Sequence, residues 1–570
     1  MGDRVTAEED EVLARALGAL LREDPYDLRP GAVVERRPDG DWLVLPEADI
    51  PVRPDGFQCE IRVRPVPGLG AVLDRLREGV AERDLPGFDA FRAECDQAVA
   101  TVRLQRRERS RVVARLAEEH GPVEEWTGVR GSLAFEALAA FRDHPVYPTG
   151  RVRNGLDERQ LLAYAPEFRP VFGLRWLVLP RDALTLGRRA RLPHWWPAPA
   201  SLGLARPGDG YLALPVHPLT AEGPLAEAVT AAGLGGSARL AETTWPAVVP
   251  TLSMRTVAVV DDPGVHIKLP LATSTLGLLN RRTIKPGVLP GGECGQRLVA
   301  EIAAREPRFA DAVLFTDERT HLGAGHELLA ALVRRYPPGL DDAHVVPVAA
   351  LLATCPDGRP VVDVLAECHY EGSAVALLDA YLRLLLDWHT TLFSYGIALE
   401  SHQQNTSIVL DGHGGLPRMR LLLKDNDGPR VHPACLAARI GEAAAAGLLG
   451  FTDPRVLVTD DGPLADLFTT VTVHLCAAAL AFELAERGRG PLDTWLGLLR
   501  DRLTEAVDRL PAGPAAVLRA RVLKAPRLPI KAMVTAGTLF SKNRSGAVDI
   551  NKFYVDGPNY LLPTDSGRTA

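Results

Sequence analysis

The chain is poor in lysine, in cysteine pairs and in net charge, and each shortage closes off a class of function. Its 570 residues carry 65 Lys and Arg against 72 Asp and Glu, a net charge of −7. A general nucleic-acid binder would need a basic face, so no nucleic-acid partner is expected. Local basic clusters remain available for small anions. Seven cysteines stand at 59, 95, 294, 355, 368, 435 and 476, with no C-x-x-C spacing. That scatter indicates neither a disulfide framework nor a zinc site and fits a reducing compartment. No window approaches the roughly eighteen uninterrupted apolar residues of a membrane span. The N-terminus, MGDRVTAEEDEVLARALGALL, lacks the basic-then-apolar order of a secretory signal. It matches M-G-x-x-x-[ST] through Gly2 and Thr6, a myristoylation pattern too short to carry weight alone. A cytoplasmic protein with no membrane partner is expected. G-x-x-x-x-G-K-[ST], G-x-G-x-x-G and G-x-S-x-G are also missing, so P-loop, Rossmann and α/β-hydrolase chemistry have no motif here.

Lysine scarcity is itself informative. Only seven of the 65 basic residues are Lys, the other 58 being Arg. With Arg supplying generic charge, each Lys becomes a candidate for a specific task, and Lys524, Lys531, Lys542 and Lys552 fall late in the chain.

A chain of this length should split into roughly two to four packed units. Residues 6–23 show helical periodicity, with Val12, Leu13, Ala16, Leu17 and Leu20 on one face. Short strands broken by Pro and Gly follow over 32–66, then helix over 86–142, where TVRLQRRERSRVVARL reads as a solvated face. From about 143 short apolar runs (LRWLVLP, YLALPVHP, TVAVVDD, HIKLPL) mark a strand-rich middle, with 196–210 as a loop inside it. After 337–342 long helices dominate, notably 373–396 and 463–487, with a β-hairpin at 406–424 and its turn near Asp411-Gly412. The fold class is α+β.

Three constellations carry chemistry. Glu400-Ser-His402-Gln-Gln404-Asn405 leads into the first hairpin strand, and Lys424-Asp425-Asn-Asp427 follows the second, so pairing brings Asn405 and Asp425 to one end. An amide oxygen and carboxylates there suit Mg²⁺, in the H-x-x-N…D arrangement that kinases use to hold Mg²⁺ on ATP. Ser253-x-Arg255-Thr256, His266-Ile-Lys268 and Arg281-Arg282 lie on or beside neighbouring strands and suit phosphate oxygens, bidentate for Arg and as a point charge for Lys. Finally, His144-Pro-Val-Tyr147-Pro-Thr-Gly-Arg151-Val-Arg153 is a proline-stiffened loop able to hold ligand-binding groups.

Taken in order, these segments resemble the IucA/IucC family of siderophore synthetases. The run His144–Gly155 looks like the family's H-P-x-H-P-x-x-K-x-R-x-G, Tyr164–Phe168 like its Y-A-P-E-F, and Pro215–Pro218 like its P-x-H-P. Ser253–Thr256 matches its S-x-R-T, Lys268 and Arg281 or Arg282 its downstream basic residues, Glu400–Asn405 its E-x-H-x-Q-N, and Lys424-Asp425 its R/K-D. Two positions depart: Tyr147 replaces the second His and Arg151 the Lys, which is expected to reshape the acid pocket.

The resemblance implies a cupped hand with a thumb (1–142), fingers (143–336) and a palm (337–570), and a homodimer. ATP would sit between fingers and palm, and a polycarboxylic acid would be activated as an acyl-adenylate and joined to an amine or hydroxyl. It assigns catalysis to Arg255, Lys268 and His402. Substrate binding falls to His144, Tyr147, Arg151 and Arg153. ATP binding falls to Ser253, Arg255, Thr256, Lys268, Arg281, Arg282, His402, Gln404 and Asn405, and Mg²⁺ to Glu400, Asn405 and Asp425. Two other readings stay open. One is a small-molecule kinase, although His402 and Gln403 stand where its catalytic Asp would be. The other is a non-catalytic iron–siderophore protein, although the C-x-x-C near the C-terminus is missing and the last Cys is Cys476.

Overall fold

The computed structural model describes residues 6–27, 68–204, 210–413, 416–547 and 550–563, with the backbone of three strands between 34 and 52. The first helix, Ala7–Glu23, begins on a capping box: Glu9 N donates to Thr6 Oγ1 at 3.3 Å and Thr6 N to Glu9 Oε2 at 3.1 Å. Two amides that a helix start leaves unpaired are thereby satisfied. Thr6 thus has a structural duty, while Gly2 lies outside the described residues. The apolar face expected from periodicity is buried at Val12, Leu13, Ala16, Leu17 and Leu20. Strands Val34–Arg37, Gly40–Leu45 and Ala48–Val52 pair as an antiparallel meander. The rest of the expected 32–66 strand region, from 53 on, is outside the described residues.

The expected helical stretch 86–142 is two helices, Leu85–His120 and Gly128–Ala139. These N-terminal helices do not build a core alone. Leu13, Leu17, Phe88 and Phe91 are buried in one cluster with Leu377, Tyr381, Phe468 and Leu503 of the C-terminal helices. Glu23, at the end of the first helix, reinforces that union by accepting from Val534 N at 3.1 Å and Thr535 N at 2.8 Å. The two ends of the chain therefore share a core, whereas the middle packs around Leu177, Leu214, Val257, Ile267 and Val333.

That middle holds an antiparallel seven-stranded sheet in the order Phe172–Gly173, Ala247–Pro250, Thr256–Val259, Val265–Lys268, Ala330–Arg335, Asp317–Gly323, Thr185–Leu186. Thr256–Val259 and Val265–Lys268 are buried at every residue. Both faces are covered, as the unbroken apolar texture of such strands requires, so His266 and Lys268 do not stand on a wet face.

The helix Ala374–Ser394 ends through Gly396, whose φ of +75° is left-handed and whose added Cβ would fall 2.7 Å from Cys435 Cβ. Only glycine serves there. The hairpin follows over the expected span, its strands running past the expected turn, as Thr406–His413 and Leu416–Leu423 in the centre of a four-stranded sheet. Asp411 and Gly412 are not its turn: they pair with Arg418 and Pro417 inside the ladder, and the connection at 414–415 lies outside the described residues. Among the described residues one helix, Gly462–Glu486, is long and apolar enough to cross a membrane, with mean hydropathy 1.7. It is a core helix, with 94% of that apolar window buried. Its Phe468–Ala478 segment is wound as a π-helix, a geometry that recurs at functional sites.

Candidate active site

The hairpin's open end is tied by backbone. Lys424 N donates to Asn405 O at 3.0 Å, and Asn405 N to His402 O at 2.8 Å, folding His402–Asn405 into a tight turn. Gln403 Nε2 anchors that turn to the π-helical segment through Leu475 O at 2.6 Å. Asn405 Nδ2 reaches Glu400 O at 3.3 Å and His402 Nε2 at 3.4 Å. Past the second strand Lys424 turns inward to Glu136 (2.7 Å), and Asp425, at φ +65°, turns outward.

Asp425 sits among cations. It pairs with Lys268 and lies 3.6 Å from Arg334, while Lys268 Nζ also donates to Asp427 Oδ2 at 3.1 Å. Burial alone would raise the Asp425 carboxyl, but the charges of Lys268, Arg334 and Arg255 hold it well below its usual range. Asp427 shares the same ammonium and loses the contest, its carboxyl being raised by burial and by Asp425. The helix Val288–Arg305 presses on this segment at Gly295, where an added Cβ would stand 2.0 Å from Asn426 O. Gly295→Ala is therefore expected to displace Asp425 and Asp427. The expected result is a loss of activity of more than about tenfold in a protein whose circular dichroism is that of the wild type. Unaltered turnover would show that the segment's position is unimportant.

Glu400, His402, Asn405, Asp425 and Asp427 line a cavity of about 940 Å³, at the upper end of ligand pockets and roomy enough for more than one small molecule. Arg153, Arg255 and Arg282 converge on its wall. Arg255 Nη1 donates to the carbonyls of Arg282 (3.3 Å) and Thr283 (3.1 Å), and Arg153 Nη1 to that of Arg151 (2.6 Å). The Arg282 side chain makes no hydrogen bond among the described residues. Burial, then the charges of Arg255 and Arg153, push its guanidinium down to about 9. Glu167 lies 3.9 Å from Arg153 and the Asp425 charge tempers Arg282, yet no carboxylate pairs directly with the Arg282 side chain among the described residues, which leaves positive charge for an anion.

Glu400 lines the same cavity, and its carboxyl falls to about 2 because Lys531 and Lys552 outweigh its burial. Lys531 Nζ donates to Oε2 at 3.2 Å, and Lys552 Nζ lies 3.3 Å from Oε1. Burial takes His402 down to about 4, so its ring is neutral near pH 7.

Of the residues singled out from sequence, Glu400, His402, Gln404, Asn405, Asp425, Ser253, Arg255, Arg282, His144, Arg151 and Arg153 line this one cavity. Four do not. Lys268 is buried beneath the wall against Asp425 and Asp427, so it positions those carboxylates. Thr256 is buried within its strand. Arg281 points outward to Glu327 at 3.3 Å with its side chain 58% exposed. Tyr147 is fully buried, its hydroxyl donating to Glu94 Oε2 at 3.1 Å.

The expectation that Tyr147 and Arg151 together reshape an acid pocket changes accordingly. Arg151 is engaged by Asp143 (Nε to Oδ2, 2.7 Å), Gln105 (3.0 Å) and Glu11. His144 uses Nδ1 to accept Tyr147 N at 3.1 Å, and burial keeps its ring neutral. Tyr147→Phe removes one hydrogen bond from Glu94 while Thr149 and Thr538 remain bonded to it. The expected cost is about 1–2 kcal/mol of stability in denaturant titration, with the ranking of acid substrates unchanged. A reordered ranking would put Tyr147 back in the pocket.

Sequence reading gave two groups no place in the site. Lys531 and Lys552 enter the cavity from the C-terminal segment, and the scarcity of lysine was their one signal. Arg106 and Arg109 belong to the stretch read as a solvated face, yet both line the cavity; only the packing of Leu85–His120 against the first helix puts them there. Among the described residues His432, Cys435 and Asp461 also bring ligand atoms within 4.8 Å of one another. His432 Nδ1 already caps the helix Pro433–Ile440, and none of the three lines the cavity.

The fold is mixed helix and sheet, and its candidate site is a cavity lined by arginines and carboxylates. Residues 132–353 match the model of the IucA / IucC family, and residues 376–545 that of the ferric iron reductase FhuF-like transporter family. The first of these matches agrees with the resemblance read from the motifs. It is 27% identical over 394 residues to protein y4xN of Sinorhizobium fredii, the match spanning 61% of each chain. It is 23% identical over 529 residues to the rhizobactin siderophore biosynthesis protein RhbC of Rhizobium meliloti, spanning 88% of this chain and 85% of that one. The solved structure of ATP-bound aerobactin synthetase IucA from Klebsiella pneumoniae superposes with a TM-score of 0.69 at 17% identity, over 97% of this chain and 100% of that one.

Proposed function

We propose that the chain is an ATP-dependent ligase of siderophore biosynthesis. It would activate a citrate-like polycarboxylic acid, or a related dicarboxylic acid derivative, as an acyl-adenylate and pass the acyl group to an amine or hydroxyl. The observation that carries this reading is the gathering of Arg153, Arg255 and Arg282, with no hydrogen bond from the Arg282 side chain among the described residues, in one cavity with the carboxylates of Glu400 and Asp425. Further support comes from the siderophore-biosynthesis relative and from the ATP-bound synthetase of the same fold.

In the first step a carboxylate oxygen of the acid attacks the α-phosphorus of ATP and the bond to pyrophosphate breaks. In the second the amine or hydroxyl attacks the acyl carbon, AMP departs with the bridging oxygen, and the nucleophile's proton passes to solvent. Arg255 and Arg282 offset the charge on the phosphates before and during the first step. Neutral His402, with Ser253 and Gln404, offers hydrogen bonds along the same wall. Lys268 acts through Asp425 by fixing its direction.

The donor set of Glu400, Asn405 and Asp425 fits a hard cation, being all oxygen; Glu400 Oε1 accepts no hydrogen bond even though Lys552 is near. Mg²⁺ bound there would draw charge from the pyrophosphate leaving group. The thumb, fingers and palm division at 142 and 336, a cytoplasmic location and a homodimer are parts of the same proposal.

The test is the nucleotide product with a panel of carboxylic acids. Acid-dependent AMP and pyrophosphate are expected; ADP would transfer the site to the kinase reading.

A further inference from the structure

The cavity extends well past the nucleotide-binding wall. Beyond His144 it is lined by Arg15 and Arg22 of the first helix, Arg109 of Leu85–His120, Phe141, and Glu483 and Glu486 of the C-terminal core helix. Most charges at this end already have protein partners. Arg142 pairs with Glu483. Glu11 and Asp143 are taken by Arg151, and Glu11 also by Arg106 at 2.7 Å. Arg15 spans the loop carbonyls of Tyr147 (2.9 Å) and Pro148 (3.3 Å), with Asp143 at 3.4 Å. Arg22 rests on Val146 O at 2.5 Å and lies 3.6 Å from Glu23.

Arg109 differs. Its Nη2 donates to Thr354 O at 3.3 Å, and its guanidinium lies 5.8 Å from the centre of the Phe141 ring. No carboxylate pairs with it among the described residues. A half-buried guanidinium on a cavity wall, bonded to one carbonyl and one ring, keeps most of its fork for a planar anion.

Resting on the ligase reading, we infer that this end receives the second substrate and that Arg109 binds a carboxylate on it, so that the nucleophile is an amino- or hydroxy-acid and not a simple polyamine. The geometry fits the order of events. Acid and nucleotide must meet at the Arg255–Arg282 wall, beside the carboxylates that flank the phosphates. The amine or hydroxyl must then approach the acyl carbon from the cavity's remaining opening. Held by its carboxylate at Arg109, a molecule with its reactive group at the far end of a short chain would point that group along the cavity toward the adenylate. A diamine lacks the anchor and would bring a second positive charge toward Arg109.

The experiment compares pairs of nucleophiles that differ only in the carboxylate, such as a diamino acid and the diamine of the same chain length, with wild type and Arg109→Ala. The adenylate is first trapped with hydroxylamine in wild type. Absence of any hydroxamate would overturn the ligase reading itself. With hydroxamate formed, kcat/KM for the diamino acid is expected to exceed that for the diamine by at least tenfold, chiefly through KM. Arg109→Ala should collapse that ratio toward one, and Arg109→Lys should restore part of it. Equal use of both nucleophiles by wild type would overturn the inference even if the variants fail to fold. So would an effect of Arg109→Ala on KM for the acid in place of KM for the nucleophile.

Discussion

Asp425→Asn is expected to lower acid-dependent pyrophosphate release by about a hundredfold or more, roughly 2.7 kcal/mol of transition-state stabilisation, while the protein remains folded. Asn keeps the shape and one oxygen of the side chain and removes the charge that faces Lys268, Arg334 and Arg255. Three consequences follow together. The cavity loses an oxygen donor suited to a hard cation. Lys268 is left with Asp427, which swings the ammonium away from its shared position. The surplus of positive charge around Arg255 and Arg282 also grows, favouring tight, unproductive binding of phosphate. Deleting one member of a buried ion pair costs about 3–5 kcal/mol when it strands a charge; here Asp427 remains as a partner, so a smaller loss is expected. Circular dichroism and a thermal melt separate the two effects. Activity near that of wild type at ordinary Mg²⁺ would remove Asp425 from the chemistry.

Arg282→Ala should lower kcat/KM for ATP by about a hundredfold, in line with the loss of one preorganised charge from a site where charge develops. Arg281→Ala, one residue away, should change it by less than about twofold. Arg281 is exposed and paired with Glu327, a surface interaction worth about 0–1 kcal/mol. The two adjacent arginines therefore test the cavity wall against generic basicity. A second signature concerns stability. Burial and like charges push the Arg282 guanidinium down, so its removal relieves repulsion, and the nucleotide-free variant should melt no lower than wild type. Equal activity losses from the two variants, or a large destabilisation by Arg282→Ala alone, would contradict the reading of this wall.

The local elements of the site were legible because short-range chemistry determines them. The helix stop at Gly396, the polar turn at His402–Asn405 and the pairing that brings Asn405 and Asp425 to one end of the hairpin follow from spacing and side-chain type. What stayed hidden depends on packing between distant segments. Lys268 was expected at the phosphates, yet Thr256–Val259 and Val265–Lys268 are both covered, which puts Lys268 behind the wall. Arg106 and Arg109 looked like solvated helix charges because nothing local shows that the first helix and the C-terminal core close over them. Tyr147 sits in a motif whose neighbours His144 and Arg151 line the cavity, but its own side chain points to Glu94. Of the late lysines, Lys531 and Lys552 were marked by rarity alone.

The most direct measurement of the central claim follows one oxygen atom. A polycarboxylic acid carrying heavy-isotope oxygen in its carboxylates is turned over with ATP and an amine, and the nucleotide and phosphate products are examined by mass spectrometry. If the carboxylate attacks the α-phosphorus, one labelled oxygen per turnover appears in AMP and none in pyrophosphate. Label in inorganic phosphate with ADP as the nucleotide product, or unlabelled AMP, would contradict the acyl-adenylate route and with it the assigned role of the Arg255–Arg282 wall.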